Sequence, residues 1–169
     1  MDPLAVAIEP LIPGLRRYAR AWLRGDAATA DDLVQDALER AVGSWRSRRG
    51  NNPRAWVYAI LHNLLVDHSR KARRRPSMPM DAVKEADIAD APRQEAGLHR
   101  EDVLRALDDL PEEQRAVILL VTLEDMSYAE AAATLAIPAG TVMSRLARAR
   151  DRLAAHLDLG VRPRLRRVQ

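Results

Sequence analysis

The stretch from Leu110 to Leu153, LPEEQRAVILLVTLEDMSYAEAAATLAIPAGTVMSRLARARDRL, constrains this chain more than any other. An apolar run leads into two helical patterns separated by a turn. Ser127, with Glu130 three residues on, forms a capping box that opens the first pattern. Ala129, Ala132 and Leu135 follow at helical spacing, and Ile137-Pro138-Ala139-Gly140 then interrupts it. The second pattern predicts a helix over about Gly140–His156. At about 100° per residue, Val142, Leu146, Ala149 and Leu153 fall on one side. Thr141, Arg145, Arg148 and Arg152 fall on another, with Ser144 at its edge. Two readings fit. One is a helix-turn-helix whose cationic side meets phosphates and base edges in a major groove. The other is a solvated amphipathic helix in a bundle.

Composition narrows the fold class. With 169 residues the chain makes one or two domains. Aromatics are 4% and Phe is absent, while Ala, Leu and Arg abound, which favours helices over sheets. The expected class is all-α. No apolar run reaches the roughly 18 residues of a membrane span. The N-terminal MDPLAVAIEPLIPGLRR lacks the basic start and unbroken apolar core of a signal peptide, so a cytoplasmic location is expected. Absence of cysteine removes disulfides, thiol catalysis and cysteine-ligated zinc. His62, His68, His99 and His156 have no metal-ligand spacing with acids. Ser127 is explained as a cap, and Asp31/Asp32 and Asp108/Asp109 form no site. No Gly-rich phosphate loop occurs. No enzyme, metal or cofactor is expected.

The net charge of +3 conceals a strong pattern. Residues 1–75 carry 14 basic and 8 acidic side chains, residues 76–97 carry 2 and 5, residues 98–137 carry 3 and 9, and residues 138–169 carry 8 and 2. Two basic zones around an acidic middle suggest two contacts with a polyanion. Clustering at Arg70–Arg75 and Arg145–Arg152 exceeds ordinary surface charge.

In chain order, Asp2-Pro3 starts a first helix that Pro10 and Pro13 interrupt. Leu15, Ala19, Trp22 and Leu23 give the second helix an apolar side, with Arg16, Arg17, Arg20 and Arg24 solvating the other. Thr29 and Asp32 form a capping box for the next, whose apolar stripe is Leu33, Val34, Ala37, Leu38, Ala41 and Val42. Its opposite face of Asp32, Gln35, Asp36 and Glu39 is either solvated or receives a basic partner. A polar loop, Gly43–Asn52, holds Trp45. Asn52-Pro53 then caps a long helix to Arg74, with Val57, Leu61, Leu64, Leu65 and His68 on its buried side. A second stripe on that helix, Trp56, Ile60, Asn63, Asp67, Arg70 and Arg74, ends in RKARRR, which includes Lys71 and Arg73. An aromatic platform stacks an unpaired base for ~1–3 kcal/mol while arginines hold the backbone; core packing explains Trp56 equally well. Proline-rich Pro76–Gly97 lacks periodicity and marks a linker. Helical periodicity resumes from Leu98 through Val103, Leu104 and Leu107, and the run AVILLVTL is the heart of a small second core.

The blocks DDLVQDALERA, NPRAWVYAILHNLLVDHSRKARRR and LDDLPEEQRAVILLVTLEDMSYAEAAATLAIPAGTVMSRLARAR, in that order, resemble an extracytoplasmic-function sigma factor of bacterial RNA polymerase. The resemblance spans about Leu11 to Leu157. It implies two small helical domains, region 2 at 1–75 and region 4 at 98–157, joined by a flexible acidic linker at 76–97 and followed by a basic tail at 158–169. It implies that Asp32, Gln35, Asp36 and Glu39 dock on the β′ coiled coil of core polymerase, with the β flap a second contact. Trp56, Asn63, Arg70, Lys71, Arg73 and Arg74 match positions that recognise and open the −10 element. Thr141, Ser144, Arg145, Arg148 and Arg152 match the helix that reads the −35 element. The acidic linker resembles a segment that threads near the polymerase active site and RNA exit path. Family habit adds an anti-sigma factor as a partner. Met143 departs from the Lys or Arg of many members, which leaves base preference there open. Asp67 is an acid within the DNA-facing stripe; it either pairs with Arg70 or Lys71 or steers them. A sigma-like decoy for an anti-sigma factor has no need of the arginine clusters, and a dimeric helix-turn-helix repressor has no need of the first block.

Overall fold

Prolines and a left-handed pair punctuate the first helices. In the computed structural model, which describes the backbone of residues 3–48, 50–74 and 94–160 and the side chains of 4–48, 50–74 and 100–157, α1 (Pro3–Ile8) gives way at Pro10 to a 3-10 turn, Glu9–Leu11. α2 (Ile12–Trp22) takes Pro13 in its first turn, where the missing N–H costs nothing. Arg24 and Gly25, both at positive φ, then reverse the chain. α3 (Ala27–Ser44) is capped by Asp26, whose carboxylate accepts from Thr29 N at 3.1 Å and Thr29 Oγ1 at 2.6 Å. The expected Thr29–Asp32 box is therefore corrected. Asp is the better cap, the reversal at Arg24-Gly25 delivers it one turn earlier, and Thr29 becomes its donor. These bonds hold the Asp26 carboxyl below its ordinary range, the Thr29 hydroxyl contributing most.

α3 runs into a 3-10 turn, Trp45–Ser47, so part of the expected loop is helical. Its buried side is Ala30, Val34, Ala37 and Ala41, while Val42 is exposed rather than in the stripe. α4 (Pro53–Arg74) has the expected bounds, with Asn52 Oδ1 accepting from Ala55 N at 3.0 Å. Val57, Leu61, Leu64 and Leu65 are buried as expected, and His68 is only half-buried.

α5 (Gln94–Asp108) begins inside the expected linker. It buries Ala106 and Leu107 and leaves Val103 exposed. α6 (Glu112–Ile118) widens into a π turn, Leu119–Leu123. α7 (Tyr128–Leu135) opens on the expected capping box: Glu130 N donates to Ser127 Oγ at 3.1 Å and Ser127 N to Glu130 Oε2 at 3.0 Å. The turn to α8 (Ala139–Gly160) places Ala136 at φ +53°, with Ile137 N donating to Ala132 O at 3.1 Å.

The described residues are helical with no strand, and no helix among them is long and apolar enough to cross a membrane. The small second core expected around AVILLVTL instead joins the first. Leu15, Tyr18, Trp22 and Leu61 belong to the same apolar cluster as Val117, Leu120, Val142 and Leu146. α4 packs on α7, and α2 on the π turn. Arg75, the linker expectation over 76–93 and the basic tail over 161–169 lie outside the described residues.

Candidate nucleic-acid interface

α8 divides as its periodicity requires. Val142, Leu146 and Ala149 are buried and Leu153 packs against the core, while Ser144, Arg148 and Arg152 are exposed and Thr141 is half-buried. Arg148 and Arg152 form no ion pair among the described residues. Arg145 differs. Its side chain is only 24% exposed, and Nη2 lies 3.1 Å from Glu113 Oε2. Met143 is 55% exposed beside Ser144, so the departure from a basic residue stands on the outer surface.

On α4 the second stripe is real but uneven. Asn63, Asp67, Arg70, Lys71, Arg73 and Arg74 are exposed. Trp56 is half-buried against the core, its ring 6.1 Å from that of Trp45, and the Arg48 guanidinium sits 3.8 Å over Trp45. An aromatic pair with a cation therefore stands where α4 begins. Asp67 has no ion pair with Arg70 or Lys71. Arg73 Nη1 lies 3.1 Å from Glu112 Oε1, near enough for an ion pair though not aligned as a hydrogen bond. On α3, Asp32, Gln35, Asp36 and Glu39 form one exposed face, with Gln35 Nε2 donating to Glu39 Oε1 at 3.1 Å.

The arginines of α2 are not simply solvated. Arg16 and Arg20 both reach Asp31, and Arg24 reaches Asp108. Arg17 makes two 2.9 Å bonds to Glu124, which is almost wholly buried. The Tyr58 hydroxyl donates to Glu124 Oε2 at 2.6 Å, and Arg54 donates to the Glu124 carbonyl. Burial, then the Glu124 contact, push the Tyr58 phenol well above its ordinary range. Buried Arg115 of α6 lies 4.4 Å over the Trp22 ring and donates to Asp108 at 2.9 Å. Sequence reasoning missed this cluster. Its one signal was an acid, Glu124, directly after an apolar run, and nothing in the linear order paired it with Arg17.

A helix-turn-helix with exposed arginines, a long helix ending in a basic run and an acid-faced helix thus stand together in one chain. The family model for sigma-70 region 4 matches residues 100–153, and the model for the sigma2 domain of PhyR matches residues 8–62. The chain is 40% identical over 157 residues to the ECF RNA polymerase sigma factor EcfG of Rhodopseudomonas palustris, covering 92% of this chain and 86% of that one. It is 39% identical over 135 residues to the ECF sigma factor SigC of Mycobacterium tuberculosis, covering 79% and 72%. Among solved structures, the sigma factor RpoE in complex with the anti-sigma factor NepR from Bartonella quintana superposes with a TM-score of 0.73 at 33% identity, over 94% of this chain and 99% of that one. The chain belongs to the extracytoplasmic-function sigma factors of RNA polymerase. Its function is to bind core polymerase and direct promoter-specific initiation, without catalysis of its own.

Proposed function

We propose that residues 1–75 and 98–157 act as the two promoter-binding regions of this sigma factor, with 76–97 between them. Thr141, Ser144, Arg145, Arg148 and Arg152 meet the −35 duplex in the major groove. Trp56 and Asn63 receive an unpaired base of the −10 element, while Arg70, Lys71, Arg73 and Arg74 hold its phosphates. Asp32, Gln35, Asp36 and Glu39 dock on the β′ coiled coil, and the second region meets the β flap. Bond formation belongs to the polymerase. The observation that carries the reading is the exposed Arg148 and Arg152, without an ion pair among the described residues, opposite buried Val142, Leu146 and Ala149. By likeness to the NepR-bound RpoE, an anti-sigma factor restrains the chain, and it acts in the cytoplasm with the polymerase.

Run-off transcription with core polymerase tests this. Promoter-selective product appears only when the chain is added. A good base contact is worth ~1–3 kcal/mol, so Arg148→Ala lowers −35-dependent product by roughly tenfold. Unchanged output from a strong cognate promoter removes Arg148 from the interface.

A further inference from the structure

The two halves meet through an acid in a made-to-measure recess. Glu124 ends the π turn of the second half, and its carboxylate is received entirely by the first. Arg17 grips both oxygens, and Tyr58 donates to one of them. Gly14 makes the room. A Cβ there would fall onto the Tyr58 hydroxyl and only 2.6 Å from Glu124 Oε2. Gly14 has ordinary helical φ, so space is what excludes a side chain. Arg54 holds the Glu124 carbonyl and reaches Glu130 at 3.8 Å, tying the same helix, α4, to α7. A desolvated carboxylate is costly unless its lone pairs are filled, and here all the filling comes from the other half.

Closing this contact has a consequence for the promoter faces. A groove of about 480 Å³ forms between α4 and the second half, lined by Asn63, Asp67 and Arg70 on one wall and Glu112, Glu113 and Arg145 on the other. Arg73 of α4 lies 3.1 Å from Glu112 of α6 across the closure, while Arg145 pairs with Glu113 within the second half. Glu112 thus engages, only in the closed chain, a cation that phosphate would take.

We infer that Gly14, Arg17 and Tyr58 form a carboxylate socket for Glu124, a latch that holds the free chain closed with the Asn63–Arg70 stripe and Arg145 facing each other across the groove. The latch stands on the contact alone; its inhibitory meaning rests on the promoter assignment above. Opening parts the walls of the groove, releases Arg73 from Glu112 and leaves the socket empty.

The chain has no cysteine, so Ser44→Cys and Ala155→Cys, both at exposed positions, accept a dye pair across the two halves. In the otherwise unaltered full chain, energy transfer reports the closed form. Glu124→Ala, and separately Gly14→Ala, shift the open-to-closed ratio by roughly tenfold or more, with helix content by circular dichroism unchanged. The charge exchange guards against misfolding as the cause. Arg17→Glu and Glu124→Arg each open the chain, and the double exchange closes it again. Transfer that stays at the original value in Glu124→Ala and Gly14→Ala, or a double exchange as open as its singles, overturns the latch. Duplex anisotropy is read separately. Opening that brings no tighter promoter binding counts against the promoter assignment and not against the latch.

Discussion

His62 shows how one half-buried side chain ties stability to pH. Its Nδ1 lies 3.1 Å from the Tyr18 hydroxyl, and its ring stands edge-on to Trp22 at 5.4 Å. Burial lowers its pKa from 6.5 to about 4. Burial also holds the Tyr18 phenol protonated far above its ordinary range, which leaves Tyr18 as donor and neutral His62 as acceptor. As pH falls below 6.5 the unfolded chain takes a proton that the native chain refuses until about 4. Stability is therefore full above 6.5 and declines between 6.5 and 4, by up to about 3 kcal/mol. Denaturant unfolding across that range, with His62→Gln as reference, checks it: the variant's profile is flatter, and parallel profiles refute the assignment. The depressed carboxyls of Asp26 and Glu130 act in the same direction but lower, where pH passes through their own native values. The sequence named His62 only as a histidine without metal spacing. Its partners Tyr18 and Trp22 lie 44 and 40 positions away, and such pairings have no linear signature.

Elements were far more legible than pairings, because caps and periodicity are local. The Ser127–Glu130 box, the Asn52-Pro53 start of α4 and the apolar side of α8 are decided within a turn or two of chain. Where a local rule failed, a competing local rule won, as Asp26 did over Thr29. The turn between α7 and α8 is the instructive case. Pro138 and Gly140 announced a break, yet the left-handed position is Ala136, and Gly140 lies inside α8. An L side chain at positive φ costs about 1 kcal/mol relative to glycine. Ala136→Gly is thus expected to stabilise the chain by about 0.5–1 kcal/mol, and Ser127→Ala to destabilise it by about 1 kcal/mol. Thermal unfolding of both variants measures the pair of opposite shifts; a loss of stability in Ala136→Gly contradicts the strain argument.

At the scale of the molecule, charge and closure set an order of events. The acidic face of α3 lies clear of the groove, whereas the Asn63–Arg70 stripe and Arg145 line its two walls. On the proposed assignment the polymerase surface is complete in the closed chain, while the two promoter surfaces, with Arg148 and Arg152 already exposed, still face each other across the groove. The proposed latch therefore implies that polymerase docks on the closed chain and that the groove opens to the promoter afterwards. The halves were readable as separate blocks of charge, but their closure was not, because it depends on Glu124 reaching Arg17 across 107 positions. Two variants separate the surfaces. Glu124→Ala tightens binding of the free chain to a promoter duplex by roughly tenfold and leaves its affinity for the isolated β′ coiled coil within about twofold, since coupled sites must share a two-state element and the α3 face does not change between states. Asp36→Arg does the reverse, weakening the coiled-coil contact by like-charge repulsion with a basic partner and leaving duplex binding no weaker. Anisotropy titrations against the duplex and the coiled coil at one fixed salt concentration measure all four affinities. Equal factors for Glu124→Ala on both ligands mean that opening governs polymerase docking as well, and the order of events is then lost.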